Sequence, residues 1–153
     1  MRLPEPATRR LIFAGLLGAA SVGAFAPLNW FVLAWLTQAG LFILLSQEAS
    51  RDRRMRRGAL IGGAFGFGFF ITGVSWVYVS LSTFGGMPSV LAALATLLFC
   101  VFLALYPALA GALFVRYAPK RGWQRALLLA ALLTLGEWLR GWIFTGFPWL
   151  ALG

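Results

Sequence analysis

The 153-residue chain is 61% hydrophobic and 16% aromatic but only 11% charged, against roughly 25% charged residues in an ordinary soluble domain. A soluble core of this size has too much surface for its volume to hide that much apolar side chain, and disordered chains lack the aromatic and branched residues abundant here. A soluble enzyme and a disordered segment are both excluded, which leaves a membrane protein, and the net charge of +9 must be read by position before it can suggest nucleic acid.

Arg2, Arg9 and Arg10 precede the first apolar run, Leu11 to Ala26. A helix needs about 20 residues to cross the ~30 Å hydrocarbon core, so this run suffices if the helix begins near residue 9 and the arginines snorkel to the interface. A basic pair, an apolar run and Ala24-Phe25-Ala26 also have the form of a signal peptide. Pro27 and the immediate restart of apolar sequence favour a tight helical hairpin instead. The second run, Leu28 to Ser46, and the third, Gly58 to Val79, flank a basic segment containing Arg51, Arg53, Arg54, Arg56 and Arg57.

The fourth run, Val90 to Val115, contains Cys100, the only cysteine, and Tyr106-Pro107. A lone thiol inside an apolar run reads as a small buried residue rather than a nucleophile. Proline within the helix predicts a kink. Arg116, Lys120, Arg121 and Arg125 follow, and a fifth run starting at Ala126 meets Glu137 and Arg140. Continued through Phe144 it reaches full length, with Glu137 about 10 Å inside its far end. Glu137 and Arg140 are three apart, share a helix face and can neutralise each other.

The sequence thus predicts an all-α, polytopic membrane helix bundle of about five transmembrane helices, near 9–26, 28–46, 58–79, 90–115 and 126–144, forming one unit over 1–153. If the runs cross alternately, twelve of the thirteen cations fall on one side, and the opposite connections, Pro27-Leu28-Asn29 and Ser80 to Ser89, carry no charge. By the positive-inside rule the N-terminus is cytoplasmic. The basic clusters need no nucleic acid to explain them and are compatible with anionic lipid head groups. Small residues four apart, Gly15, Ala19 and Gly23 in the first helix and Gly58, Gly62 and Gly66 in the third, predict helix–helix contact faces. The chain has no histidine, so a histidine-dependent triad or a histidine-ligated metal cannot be built from it, and no cofactor is expected.

The outward side gathers the unusual residues: Trp30, Trp35, Trp76, Tyr78, the loop Thr83-Phe84-Gly85-Gly86-Met87-Pro88, and Trp138, Trp142, Phe147 and Trp149 around Glu137 and Arg140. An interfacial aromatic belt accounts for rings at this level. It does not account for an ionisable pair within a span, which is costly in lipid and points to function, such as a partly wet pocket for a charged head group.

Gly66-Phe67-Gly68-Phe69-Phe70, Gly73-Val74-Ser75-Trp76-Val77-Tyr78-Val79-Ser80, Thr83-Phe84-Gly85-Gly86-Met87-Pro88, Glu137-Trp138-Leu139-Arg140-Gly141-Trp142 and Thr145-Gly146-Phe147-Pro148-Trp149 together resemble the N-terminal membrane portion of bacterial apolipoprotein N-acyltransferases. The resemblance covers essentially the whole chain. It implies a multi-pass enzyme of the bacterial inner membrane that moves an acyl chain from a phospholipid donor to the α-amino group of an apolipoprotein acceptor's diacylglyceryl cysteine. In that family an eight-helix bundle carries a nitrilase-like domain with a Glu, Lys and Cys triad. That domain has no counterpart here, so no catalytic residue is expected in this chain, and the chain alone is expected to be inactive. Cys100 matches no catalytic position and Glu137 is not the triad acid. The implied donor-binding candidates are Trp76, Tyr78, Phe84, Gly85, Met87, Pro88, Glu137, Arg140, Phe147 and Trp149, with Trp149 foremost. Apart from the resemblance, the residues also suit a small transporter or channel subunit, with Glu137, Arg140 and Pro107 along a pathway, or a structural membrane helper assembled through its glycine faces.

Overall fold

A computed structural model describes residues 7–51, 55–143, 146–147 and 149–150. Of the residues singled out above, Arg2, Arg53, Arg54, Phe144, Thr145 and Pro148 lie outside these. Among the described residues there are helices and turns and no strand. They comprise α1 (Ala7–Ser21) with a 3-10 turn (Val22–Ala24), α2 (Phe31–Arg51), α3 (Met55–Gly73), the short α4 (Trp76–Val79) continuing into a π-helical turn (Ser80–Phe84), α5 (Ser89–Tyr117) and α6 (Gly122–Arg140).

Two helices are each long and apolar enough to cross a membrane, α2 over Phe31–Ser50 and α5 over Ser89–Tyr117. A third candidate is the pair formed by α3 and the Trp76–Phe84 segment, bent by 48°. The predicted third helix, 58–79, is therefore broken at Gly73 to Ser75. The apolar run masks that break, because hydrophobicity continues across it while the backbone turns. α1 stops at Ser21, five residues before the predicted end: the chain tightens into the 3-10 turn, and the residue before Pro27 is driven out of helical conformation. α2 starts at Phe31, after Asn29 in the left-handed region (φ +53°), and runs on to Arg51. α5 is assigned as continuous helix through Pro107. The fifth predicted helix, 126–144, instead begins at Gly122 and closes at Arg140, which moves Glu137 from mid-span into the last turn.

α3 is the centre of the bundle, with α1 on one side and α5 on the other. Gly58, Gly62 and Gly66 face α5: a Cβ on Gly58 would meet the Gly111 backbone, one on Gly62 the Pro107 carbonyl, and one on Gly66 the Pro107 ring. This is the predicted small-residue face, and its physical basis is close backbone approach where lipid offers no hydrophobic drive to packing. The α1 face matches expectation at Gly15 and departs from it elsewhere. Its closest approach runs through Gly18, against the Phe65 backbone, and through Gly15, against Gly68, while Gly23 faces the side chains of Leu33 and Leu28. α2 rests on α1, with Gly40 against Leu17 and a 2.7 Å hydrogen bond donated by Ser21 to Thr37 Oγ1.

Two apolar clusters fill the bundle. One centres on Leu41, Leu45, Phe65, Phe114 and Val115; the other holds Phe69, Phe70, Val74, Cys100 and Leu103, with Phe99, Phe147 and Leu150 against it. Cys100 is fully buried, in keeping with a packing role.

At the basic end, Arg10 turns inward instead of snorkelling. Its guanidinium pairs with Glu48 and donates a 2.8 Å bond to Gln47, and Arg57 approaches the other Glu48 oxygen at 3.5 Å. Arg10 and Glu48 are both buried, and a matched counter-charge is what makes that burial tolerable. Arg125 donates to Pro119 O at 2.8 Å and to Ser50 Oγ at 2.9 Å. The start of α1, the end of α2 and the starts of α3 and α6 are thereby gathered at one end of the bundle.

Candidate functional site

α6 ends where the sequence demands it. Gly141 closes the helix by donating to the Glu137 and Trp138 carbonyls, and Gly146 takes a left-handed conformation (φ +80°) that glycine adopts without steric cost. This reverses the chain, so that the Phe147 N–H donates to Arg140 O at 2.9 Å. Phe147 then packs edge-on to Phe99, with centroids 5.0 Å apart. Leu150 reaches Gly73 at the break after α3, where any β-carbon would collide with it. Trp149 lies against Trp76, the first residue of α4, with ring centroids 5.5 Å apart and planes inclined at 59°. Both rings remain about half exposed.

Arg140 is only 3% exposed. Its guanidinium carbon lies 5.0 Å from the centroid of the Phe70 ring, a cation–π arrangement, and its Nε and Nη1 have no hydrogen-bond partner. Glu137, Arg140 and Tyr106 line a narrow cavity of about 50 Å³, walled by Phe65, Phe69, Phe70 and Pro107 and bordered by Gln38 of α2. That is room for a few small polar atoms or waters. Glu137 and Arg140 therefore address the interior of the bundle and share one cavity.

The loop candidates are held differently. Gly85 N–H donates to Ser80 O and Met87 N–H to Leu81 O, so the loop folds back onto its own π-helical turn. π-helical turns recur at functional sites. Phe84 is 84% exposed. Gly85 and Pro88 are exposed and Met87 is half-buried, while Tyr78 stands at the margin of exposure on α4. The structure thus joins Trp76 to Trp149, and Phe147 to Arg140, and leaves Phe84, Gly85, Met87 and Pro88 as a neighbouring rim.

Gln38, Phe70 and Tyr106 were missed by sequence reasoning. Gln38 had a signal, being an amide inside an apolar run; Phe70 closes one of the stretches that carry the resemblance and Tyr106 precedes the helix proline, but nothing in the sequence turned either ring toward Arg140.

Helices packed through glycine contacts, two or three of them long and apolar enough to cross a membrane, define an α-helical membrane-protein fold that encloses buried polar groups. Residues 17–153 match the family model described as apolipoprotein N-acyltransferase N-terminal domain, and the chain belongs to this family. It is 44% identical over 144 residues to the apolipoprotein N-acyltransferase of Nitrosomonas europaea, covering 94% of this chain and 28% of that protein. Against the Ralstonia nicotianae protein of the same name it is 46% identical over 140 residues, covering 90% and 26%. Against the Vibrio cholerae one it is 42% identical over 145 residues, covering 94% and 28%. The chain therefore spans little more than a quarter of the length of these curated relatives.

Proposed function

We propose that these residues form the membrane part of an enzyme that transfers a fatty acyl chain from a phospholipid to the N-terminal α-amino group of diacylglyceryl-cysteine lipoproteins in the bacterial inner membrane. The family supports the reaction class, and the contact of the tilted rings of Trp76 and Trp149, which follow the turn that ties Phe147 to the Arg140 carbonyl, is the observation that carries the site. A phospholipid donor keeps its tails in hydrocarbon while its ester must reach the interface to be attacked. Half-exposed amphipathic rings such as Trp76 and Trp149 suit that depth.

The chain crosses the membrane five times in this reading, with its N-terminus cytoplasmic. Support comes from the cations Arg9, Arg56, Arg57, Arg116, Lys120 and Arg121, which are exposed on the segments that the Arg10–Glu48 and Arg125 contacts bring to one end. The 153 residues do not transfer acyl groups by themselves: their only cysteine is sealed inside α5, where no acceptor or donor can reach it.

In the complete gene product, Trp149→Ala is expected to lower the rate of acyl transfer to a diacylated lipoprotein by about ten-fold, the scale of one aromatic contact and its buried area. Heat resistance in detergent should stay unchanged, because the ring is half exposed. An unaltered rate removes Trp149 from the site.

A further inference from the structure

We propose that Leu150 is a positioning residue: seated in the notch that Gly73 leaves at the break after α3, it holds the Trp149 ring against Trp76. This rests on the acyl-transfer reading above for its consequence, and on packing and backbone geometry for the contact itself.

Leu150 has a left-handed backbone, with φ +58°. That region crowds the β-carbon of an L-residue, and glycine, asparagine and aspartate are the residues that enter it readily. A leucine persists there only where its surroundings over-determine it, and such residues concentrate at functional sites. What holds this one is its side chain. A β-carbon built on Gly73 would stand 3.4 Å from Leu150 Cγ, closer still to Leu150 Cδ1, and 3.3 Å from Val22 Cγ2. The tip of Leu150 thus fills the space that a side chain at position 73 would take, beside the 3-10 turn that follows α1. Leu150 is accordingly partly buried, packed against the cluster that holds Phe69, Phe70 and Val74.

Trp149 lies between two anchors. On one side Phe147 is fixed by its N–H bond to Arg140 O at 2.9 Å and by its edge-on contact with Phe99; on the other, Leu150 is fixed at Gly73. Gly73 ends α3 and Trp76 begins α4, so the two stand on either side of one break, and the chain meets the first with Leu150 and the second with Trp149. The rings of Trp76 and Trp149 belong to residues that are 44% and 51% exposed, so their mutual contact buries too little to hold itself in place. The strained leucine beside them supplies the anchorage that the exposed rings lack.

The test uses the complete gene product in phospholipid vesicles, with 5-fluorotryptophan incorporated and the fluorine resonances of Trp76 and Trp149 assigned by replacing each with Phe. Leu150→Gly removes the side chain and frees the backbone. It is expected to move the Trp149 resonance to the position it takes in Trp76→Ala, and to lower acyl transfer about five-fold, within the loss expected of Trp149→Ala. Gly73→Ala, which pushes Leu150 out from the far side, should do the same, while Leu150→Met refills the notch and should retain both the resonance and the rate. Because Leu150 acts through Trp149, adding Leu150→Gly to Trp149→Ala should lower transfer no further, where a general loosening of the fold would multiply the two losses. An unmoved Trp149 resonance in Leu150→Gly overturns the proposal. So does loss of heat resistance in both Leu150→Gly and Gly73→Ala, which would make the contact a packing element only. A displaced resonance with undiminished transfer retains Leu150 as the residue that places the ring and removes the ring pair from the acyl-transfer reading.

Discussion

Gly62→Val is expected to force α3 and α5 apart and to cost about 3 kcal/mol, the upper range for overfilling a packed interior. A β-carbon at position 62 would stand 2.9 Å from the Pro107 carbonyl carbon and 3.3 Å from the Ala108 Cα, and closer still to the Pro107 oxygen. All three are backbone atoms, so no rotamer change relieves the clash and the helices must separate. Separation also opens the small cavity, since Gly66 and Pro107 form part of its wall. The control is Gly136→Ala, whose β-carbon would sit 3.8 Å from Tyr106 Cβ. It fits and gains helix propensity worth up to about 1 kcal/mol. Heat resistance in detergent, read by size exclusion, should fall sharply for the first variant and hold or rise for the second. Equal behaviour would remove the α3–α5 contact as the packing seam.

Glu48→Ala is expected to be at least as damaging, about 3–5 kcal/mol, because it strands the buried Arg10 guanidinium without its counter-charge. Arg57, the other partner of Glu48, is half exposed and loses little, as exposed ion pairs generally contribute under about 1 kcal/mol. The same principle makes the double replacement Arg10→Met with Glu48→Leu far milder than either single change, since both charges leave the interior together. Thermal unfolding of the two single variants and the double variant forms a cycle. A double variant as unstable as the sum of the singles would show that Arg10 and Glu48 do not act as a pair.

These two variants also mark where sequence was informative. The α3 face was legible because its three glycines recur every four residues and meet a backbone, which only small residues permit. The α1 face was legible in part: Gly15 does meet α3, at Gly68, but α3 also closes on Gly18, which lay outside the predicted stripe, and Gly23 faces leucine side chains instead, because the phase of a contact is set by the neighbour. The Arg10–Glu48 pair was hidden by its 38-residue separation. A cation at the start of an apolar run looks like an interfacial anchor until a distant carboxylate is placed beside it. The break after Gly73 was invisible for a different reason, since hydrophobicity reports depth in the membrane and not the direction of the backbone.

At the candidate site, Trp76, Arg140, Phe147 and Trp149 were legible as polar or amphipathic residues on the charge-poor side. The turn at Gly146 that brings Phe147 onto α5 and Trp149 onto α4 depends on a single backbone conformation. Gln38 shows the opposite case, a polar residue whose position in an apolar run was itself the clue and which becomes meaningful only when α2 and α6 are seen to border one cavity.

The most direct measurement of the central claim is the mass of a lipoprotein's N-terminal peptide from cells in which the gene encoding this chain is the sole source of apolipoprotein N-acyltransferase. The account predicts a cysteine carrying its diacylglyceryl group and an additional amide-linked acyl chain, and loss of that chain when the gene is repressed. A peptide that keeps a free α-amino group while the protein is present in the membrane would contradict it.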